Sequence, residues 1–294
     1  DMTRLYDFFF AEEKGNNQKY QYLECYLTQE QLRMQLVKNI NIGGLHPRVV
    51  CDHLDYCNRH QWDDRLPEAT ELCRSAETDL LLRSCALKYV YQQAGEDYVS
   101  QELIPCADGE FLIEIEKTCG KISRKVLRDA MELQFARGFD MRLLAHLLVL
   151  QSGMALNAYT ELVTRENRVP MGNFGEDATA AIGTLKDPAF LPQMEGLLRA
   201  MFTEGFQDGS FHTLSGSLAK AFVSCGALDP LMAKEILTQQ IQTSRGIERC
   251  VRWCNQVLEY LKGEILRQEE HPRELNEVIE IMRQMEKGPI PNSV

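Results

Sequence analysis

Residues 51–60, CDHLDYCNRH, put two cysteines and two histidines within ten positions, and Trp62 follows closely. Thiolates and imidazoles are the ligands of structural zinc, so this stretch is the strongest metal candidate in the chain. Its spacing argues against a metal. Structural zinc sites usually pair two ligands on one turn with two from a distant segment, whereas Cys51-x-His53-x₃-Cys57-x₂-His60 is one short run. At about 100° per residue a helix puts His53, Cys57 and His60 on one side and turns Cys51 almost directly away. Four ligands so arranged cannot meet on one ion. Val50, Leu54 and Cys57 repeat at i, i+4 and i+7, the spacing of an apolar stripe. The expectation is a helix with Cys57 as a small core hydrophobe, no bound metal, and Trp62 packed into the following turn.

Other chemistry-bearing patterns are thinner. Cys250 and Cys254 in RCVRWC (249–254) lie one helical turn apart with no histidine or second pair nearby, so they are expected to pack inward beside Val257 and Leu261. GNFG at 172–175 puts glycines before a helix, as a phosphate cradle does. No strand precedes it and no Lys-Ser/Thr follows, while Glu176 and Asp177 in the first turn suit the helix dipole and would repel phosphate. Ser152-Gly153 and Ser215-Gly216 lack a nucleophile elbow, and the six histidines show no HExxH spacing. The sequence therefore predicts no catalytic residues, no cofactor and no enzyme.

The charge pattern points to binding instead. The chain carries 32 basic and 43 acidic residues, a net charge of −11, which disfavours a general polyanion binder. Within it, KISRKVLR (121–128) places Lys121, Arg124, Lys125 and Arg128 at 0, 3, 4 and 7 of a helix expected over 121–137. Ile122, Val126, Leu127 and Met131 form its apolar side. The four cations are the candidate partner-binding residues, a strip for an acidic protein or peptide or for a phosphate backbone. Phe8, Phe9, Phe10, Tyr20, Tyr22 and Tyr26 form an aromatic N-terminal stretch expected to cap the core, the alternative being that it packs on a partner.

These residues must be carried by helices. The chain has 294 residues, 44% of them hydrophobic, enough for a continuous core. Its longest apolar runs, such as LLAHLLVL at 143–150, fall far short of the roughly 20 residues that cross a bilayer, so no membrane contact is expected. It opens on Asp1 without a signal-peptide pattern, as a segment of a longer protein would. Ten cysteines set mostly in helical patterns suit reduced thiols, hence a cytoplasmic or nuclear protein. Periodicity near 3.6 runs from end to end, FLIEI at 111–115 being the main stretch that alternates like a strand. Helices are expected at about 19–39, 47–60, 66–76, 78–94, 97–104, 110–118, 121–137, 140–151, 154–167, 175–185, 188–204, 210–225, 229–242, 244–268 and 272–286. The expected organisation is one helical domain over 1–286, with a subdivision near 105–110 or 168–175, and a flexible tail at 287–294.

Three segments share a finer pattern: DYCNRHQWDDRLPEATEL (55–72), MELQFARGFDMRLLAHLL (131–148) and KAFVSCGALDPLMAKEIL (220–237). Each ends one helix, turns, and starts another after an Asp (Asp64, Asp140, Asp229), with Ala69, Ala145 or Ala233 allowing close helix approach. In this the chain resembles the helix-turn-helix repeat solenoids, tetratricopeptide (TPR) and pentatricopeptide (PPR) repeats in the broad sense. The resemblance covers about half the chain, and its Asp anchors do not keep the roughly 34-residue TPR period. It implies an all-α, right-handed α-solenoid of antiparallel helical hairpins acting as a protein–protein interaction scaffold of a larger intracellular protein. The alternative it implies is an RNA-associated, PPR-like module, which the net charge disfavours and the basic strip permits. The sequence sets no oligomeric state.

Overall fold

The computed structural model describes residues 18–39, 42, 45–201, 206 and 211–225. The helices expected at 229–242, 244–268 and 272–286, the Asp229 hairpin with Ala233, Cys250 and Cys254, Phe8 to Phe10 and the tail 287–294 lie outside the described residues. Among the described residues the fold is all-α, without a strand. The α-helices are α1 (Gln18–Glu24), α2 (Gln29–Asn39), α3 (Pro47–Arg59), α4 (Leu66–Arg74), α5 (Leu80–Tyr98), α6 (Gly109–Thr118), α7 (Arg124–Phe135), α8 (Met141–Val149), α9 (Gly153–Glu166), α10 (Asn173–Ile182), α11 (Leu191–Met201) and α12 (Phe211–Ser224). FLIEI lies inside α6, where Phe111, Leu112, Ile113 and Ile115 are all buried.

Local chemistry fixes the boundaries. The helix expected over 19–39 is two helices, because Thr28 and Gln31 make a reciprocal capping box. The Thr28 hydroxyl accepts from Gln31 N–H at 3.2 Å, and the Gln31 side chain accepts from Thr28 N–H at 3.1 Å. Asp79, Asp108, Asp140 and Ser152 cap α5, α6, α8 and α9 by accepting from backbone N–H groups. Asp64 is not a cap: the residue before α4 is Arg65, and Asp64 accepts from Arg33 at 2.6 Å. The chain kinks at Gly95, whose φ of 82° is left-handed, and α5 then runs into a π-turn over Val99–Leu103 and a 3₁₀ turn over Ile104–Cys106. A helix expected at 97–104 is thus the far end of α5 and its irregular continuation.

Two helices end alike. After α3 and after α8 a glutamine takes the left-handed conformation (Gln61, φ 56°; Gln151, φ 64°). Trp62 N–H then reaches back to the Cys57 carbonyl, and Ser152 N–H to the Leu147 carbonyl, both at 3.0 Å. These are Schellman ends, which satisfy the last carbonyls and reverse the chain.

The chain divides into two compact units, Asp1–Gln134 and Phe135–Val294, with the division inside α7. In the first unit α5 packs on α3, α4 and α6. The Gln93 amide of α5 donates to Asn58 of α3 at 2.9 Å. α3 therefore packs directly on α5, and α4 packs on α5 as well. In the second unit α8 packs on α9 and α10, α9 on α11, and α12 on α10 and α11. Leu144, Leu147, Leu156, Tyr159, Ile182, Met194 and Leu214 are fully buried there. Among the described residues no helix is long and apolar enough to cross a membrane.

Candidate functional site

The opening stretch folds as α3 with Val50, Leu54 and Cys57 buried. Pro47 at its first turn costs no hydrogen bond, since that N–H has no helical partner. His53 is fully buried one turn from Cys57, with its Nε2 3.7 Å from Cys57 Sγ and 3.3 Å from Arg65 Nε, which donates to it. Burial first, and the Arg65 charge second, lower the imidazole to about 3, so it is neutral. Burial likewise pushes the Cys57 thiol up to about 12.

Arg65 binds three elements at once. Besides His53 of α3 it donates to the Leu36 carbonyl of α2 and to Glu68 of α4, both at 2.7 Å. An aromatic layer covers this cluster. Tyr20 stacks on Tyr56 with centroids 4.4 Å apart, and Tyr56 and His60 both meet Trp62. Tyr56 donates to Glu24 at 2.7 Å, with His60 3.3 Å from the same carboxylate. Tyr20 is therefore core, while Tyr22 and Tyr26 are exposed and touch each other. The Cys/His stretch thus serves as a polar interior joint. Among the described residues no three His, Cys, Asp or Glu side chains are grouped as a metal set.

Cys51 has a different setting. It is half-buried on α3, as Cys85 is on α5. The Cys51 thiol first, and then the Lys88 charge, lower the Cys85 thiol to about 7 against its burial and the Asp55 and Asp52 charges, while Cys51 is raised. Sequence spacing could not pair two cysteines 34 positions apart on separate helices.

The basic strip is partly rearranged. The helix begins at Arg124, so Lys121 stands in the preceding turn and the 0, 3, 4, 7 spacing holds only from Arg124 onward. Lys121, Arg124 and Lys125 are exposed, and none has a carboxylate within 4 Å among the described residues. Arg128 is half-buried beside Asp129 at 3.8 Å. Val126 leaves the apolar side: it is 39% exposed, and Leu133 two turns on is 58% exposed, whereas Ile122, Leu127 and Met131 are buried. Lys125, Val126, Asp129 and Leu133 consequently share the outer face of α7. Two cations in the first turn, with no acidic residue there, oppose the helix dipole. The Gln134 amide ties the far end of α7 to the Ala107 carbonyl at 2.9 Å.

The phosphate-cradle pattern also resolves structurally. Gly172 (φ 83°) precedes α10, and a Cβ on Gly175 would lie 2.7 Å from the Pro170 backbone, so Gly175 permits a close approach of chain to chain. Ser152 caps α9 and Ser215 is buried in α12. In the second unit a cavity of about 320 Å³ opens among Phe139, Ala158, Glu161, Leu162 and Arg165. No family model, curated protein or solved structure matches the chain.

Proposed function

We propose that the chain is a non-enzymatic α-solenoid interaction module that docks an acidic segment of a protein partner along the start and outer face of α7. The observation that carries this reading is the exposure of Lys121, Arg124 and Lys125 without carboxylate neighbours among the described residues, in a protein of net charge −11. Such an arrangement costs its own helix stability, because like charges repel and cations oppose the dipole at a helix N-terminus. A partner carboxylate relieves both. Val126 and Leu133 beside the cations add apolar area, so the fitting partner is an acidic segment that also presents apolar side chains. The solenoid part of the reading is supported by the packing of alternate helices, α3 with α5, α8 with α10 and α10 with α12.

The test compares the natural chain with a variant carrying Lys121→Glu, Arg124→Glu, Lys125→Glu and Arg128→Glu in affinity purification from the source cells with quantitative mass spectrometry. Proteins held by the strip should drop out of the variant's set and elute from the natural chain at raised salt. An unchanged set would sink the proposal. Ribonuclease-sensitive recovery would favour the RNA-associated alternative.

A further inference from the structure

α9 turns Ala155, Leu156, Tyr159 and Val163 into the second unit, where it packs on α8 and α11. Away from that core it carries Ala158, Glu161, Leu162 and Arg165, spaced at i, i+3, i+4 and i+7, so the four share one face. Together with Phe139, which is 57% exposed and held beside Phe135 with ring centroids 5.5 Å apart, they line the cavity of about 320 Å³. Glu161 and Arg165 stand one turn apart, a spacing that suits an ion pair within a helix. That pair is not formed. Arg165 reaches Glu166 at 3.5 Å with its side chain 75% exposed, and among the described residues no basic group lies within 4 Å of Glu161. We propose that this face is the interface of a two-fold homodimer, in which α9 lies antiparallel to α9 of a second copy.

A two-fold interface needs a surface that complements itself, and the charges on this face do so. Glu161 and Arg165 are separated by about 6 Å along the helix. A two-fold axis crossing α9 midway, at the level of Val163, exchanges the two positions, so Glu161 of each copy meets Arg165 of the other and both ion pairs form at once. Leu162 stands one residue from that axis. The leucines of the two copies therefore meet at the centre, with Phe139 beside them and the small Ala158 leaving room for close approach. A parallel pairing would set Glu161 against Glu161 and Arg165 against Arg165, and like charges so placed exclude it. An unrelated partner would have to bring an apolar side chain and both charges in reverse order, which a second copy supplies by symmetry. The interface uses no residue of the α7 strip, so its failure would leave the docking of an acidic segment untouched.

The experiment is sedimentation equilibrium of the full chain at micromolar concentrations. The natural chain should approach twice the 33.7 kDa of one copy and dissociate on dilution. Glu161→Arg and Arg165→Glu each bring like charges together at both ends of the helix pair, and each alone should raise the dissociation constant about tenfold or more. An equimolar mixture of the two variants should dimerise again, because every cation of one then faces a carboxylate of the other; this recovery also shows that both variants are folded. Leu162→Asp should weaken the dimer in a way that mixing with either charge variant does not repair. A natural chain that stays monomeric throughout this range, a dimer that neither charge variant weakens, or two monomeric variants that stay monomeric when mixed would each overturn the proposal.

Discussion

Arg65 Nε donates to His53 Nε2 across 3.3 Å with both side chains buried, so a charged guanidinium is held inside the first unit by a neutral imidazole. A buried cation beside a second potential cation is tolerable only while the second stays unprotonated. The other groups close to this imidazole are Tyr20 of α1 and Cys57 of α3, with Glu68 on the far side of Arg65. Tyr20 and Cys57 are both raised by burial and stay neutral at ordinary pH.

A pH dependence follows from that pair. His53 binds its proton at about 3 when folded, against 6.5 in an ordinary environment. Between these values the unfolded chain takes up the proton and the folded chain does not, so stability is full above about pH 6.5 and falls as pH drops toward 3. Urea midpoints measured from pH 7 to pH 4 should decline more steeply in the natural chain than in His53→Gln, whose amide oxygen can still accept from Arg65. Equal slopes would mean that His53 is not held neutral by the fold.

Two glycines should separate by what surrounds them. Gly175→Ala would drive a Cβ to 2.7 Å from the Pro170 backbone, which cannot swing aside as a side-chain end can. Overpacking of this kind costs about 1–3 kcal/mol, a loss of several degrees in thermal midpoint. Gly138→Ala meets nothing within 4 Å and has no left-handed φ, so it should be neutral or mildly stabilising.

Two aspartate caps should differ for a similar reason. Asp140 accepts from Arg142 N–H at 2.8 Å, and Asp140→Ala should cost about 1 kcal/mol in denaturant unfolding. Asp108 caps α6 and also accepts at 2.6 Å from Arg83, a buried arginine stacked 4.1 Å from the Phe111 ring. Asp108→Ala leaves that guanidinium without its carboxylate and should cost clearly more than the cap alone. A cost equal to that of Asp140→Ala would show that Arg83 gains nothing from Asp108.

The helix class, the buried stripe of α3 and the Asp140 cap were legible because each is written in local spacing. Val50, Leu54 and Cys57 repeat at helical intervals, and an Asp before MRLLAHLL marks a start. The boundaries that escaped depend on less distinctive signals. Thr28 with Gln31 splits an apolar pattern that reads as one helix, and Gln61 and Gln151 stand where glycine is the usual left-handed residue. Lys121 was misplaced because periodicity extends through the turn before Arg124. Arg65 and Arg83 look like surface residues in a sequence, and only tertiary packing gives them carbonyls and carboxylates inside the core.

The basic strip should carry a stability signature opposite to its binding one. Replacing Arg124 and Lys125 by Glu puts acidic residues into a first turn that now has none, which favours the helix by about 0.3–1 kcal/mol per residue at low salt. The double variant should melt at the same temperature or slightly higher while losing partner affinity. A lower melting temperature together with lost affinity would assign the loss to damaged folding.

The most direct measurement is hydrogen–deuterium exchange of the full chain with and without a protein recovered in the comparative purification. Residues 121–133 carry the proposed contact, so their amides should gain protection on binding, and the gain should shrink as salt rises. Protection confined to other segments, with exchange over 121–133 unchanged, would contradict docking on α7 and move the interaction surface elsewhere in the chain.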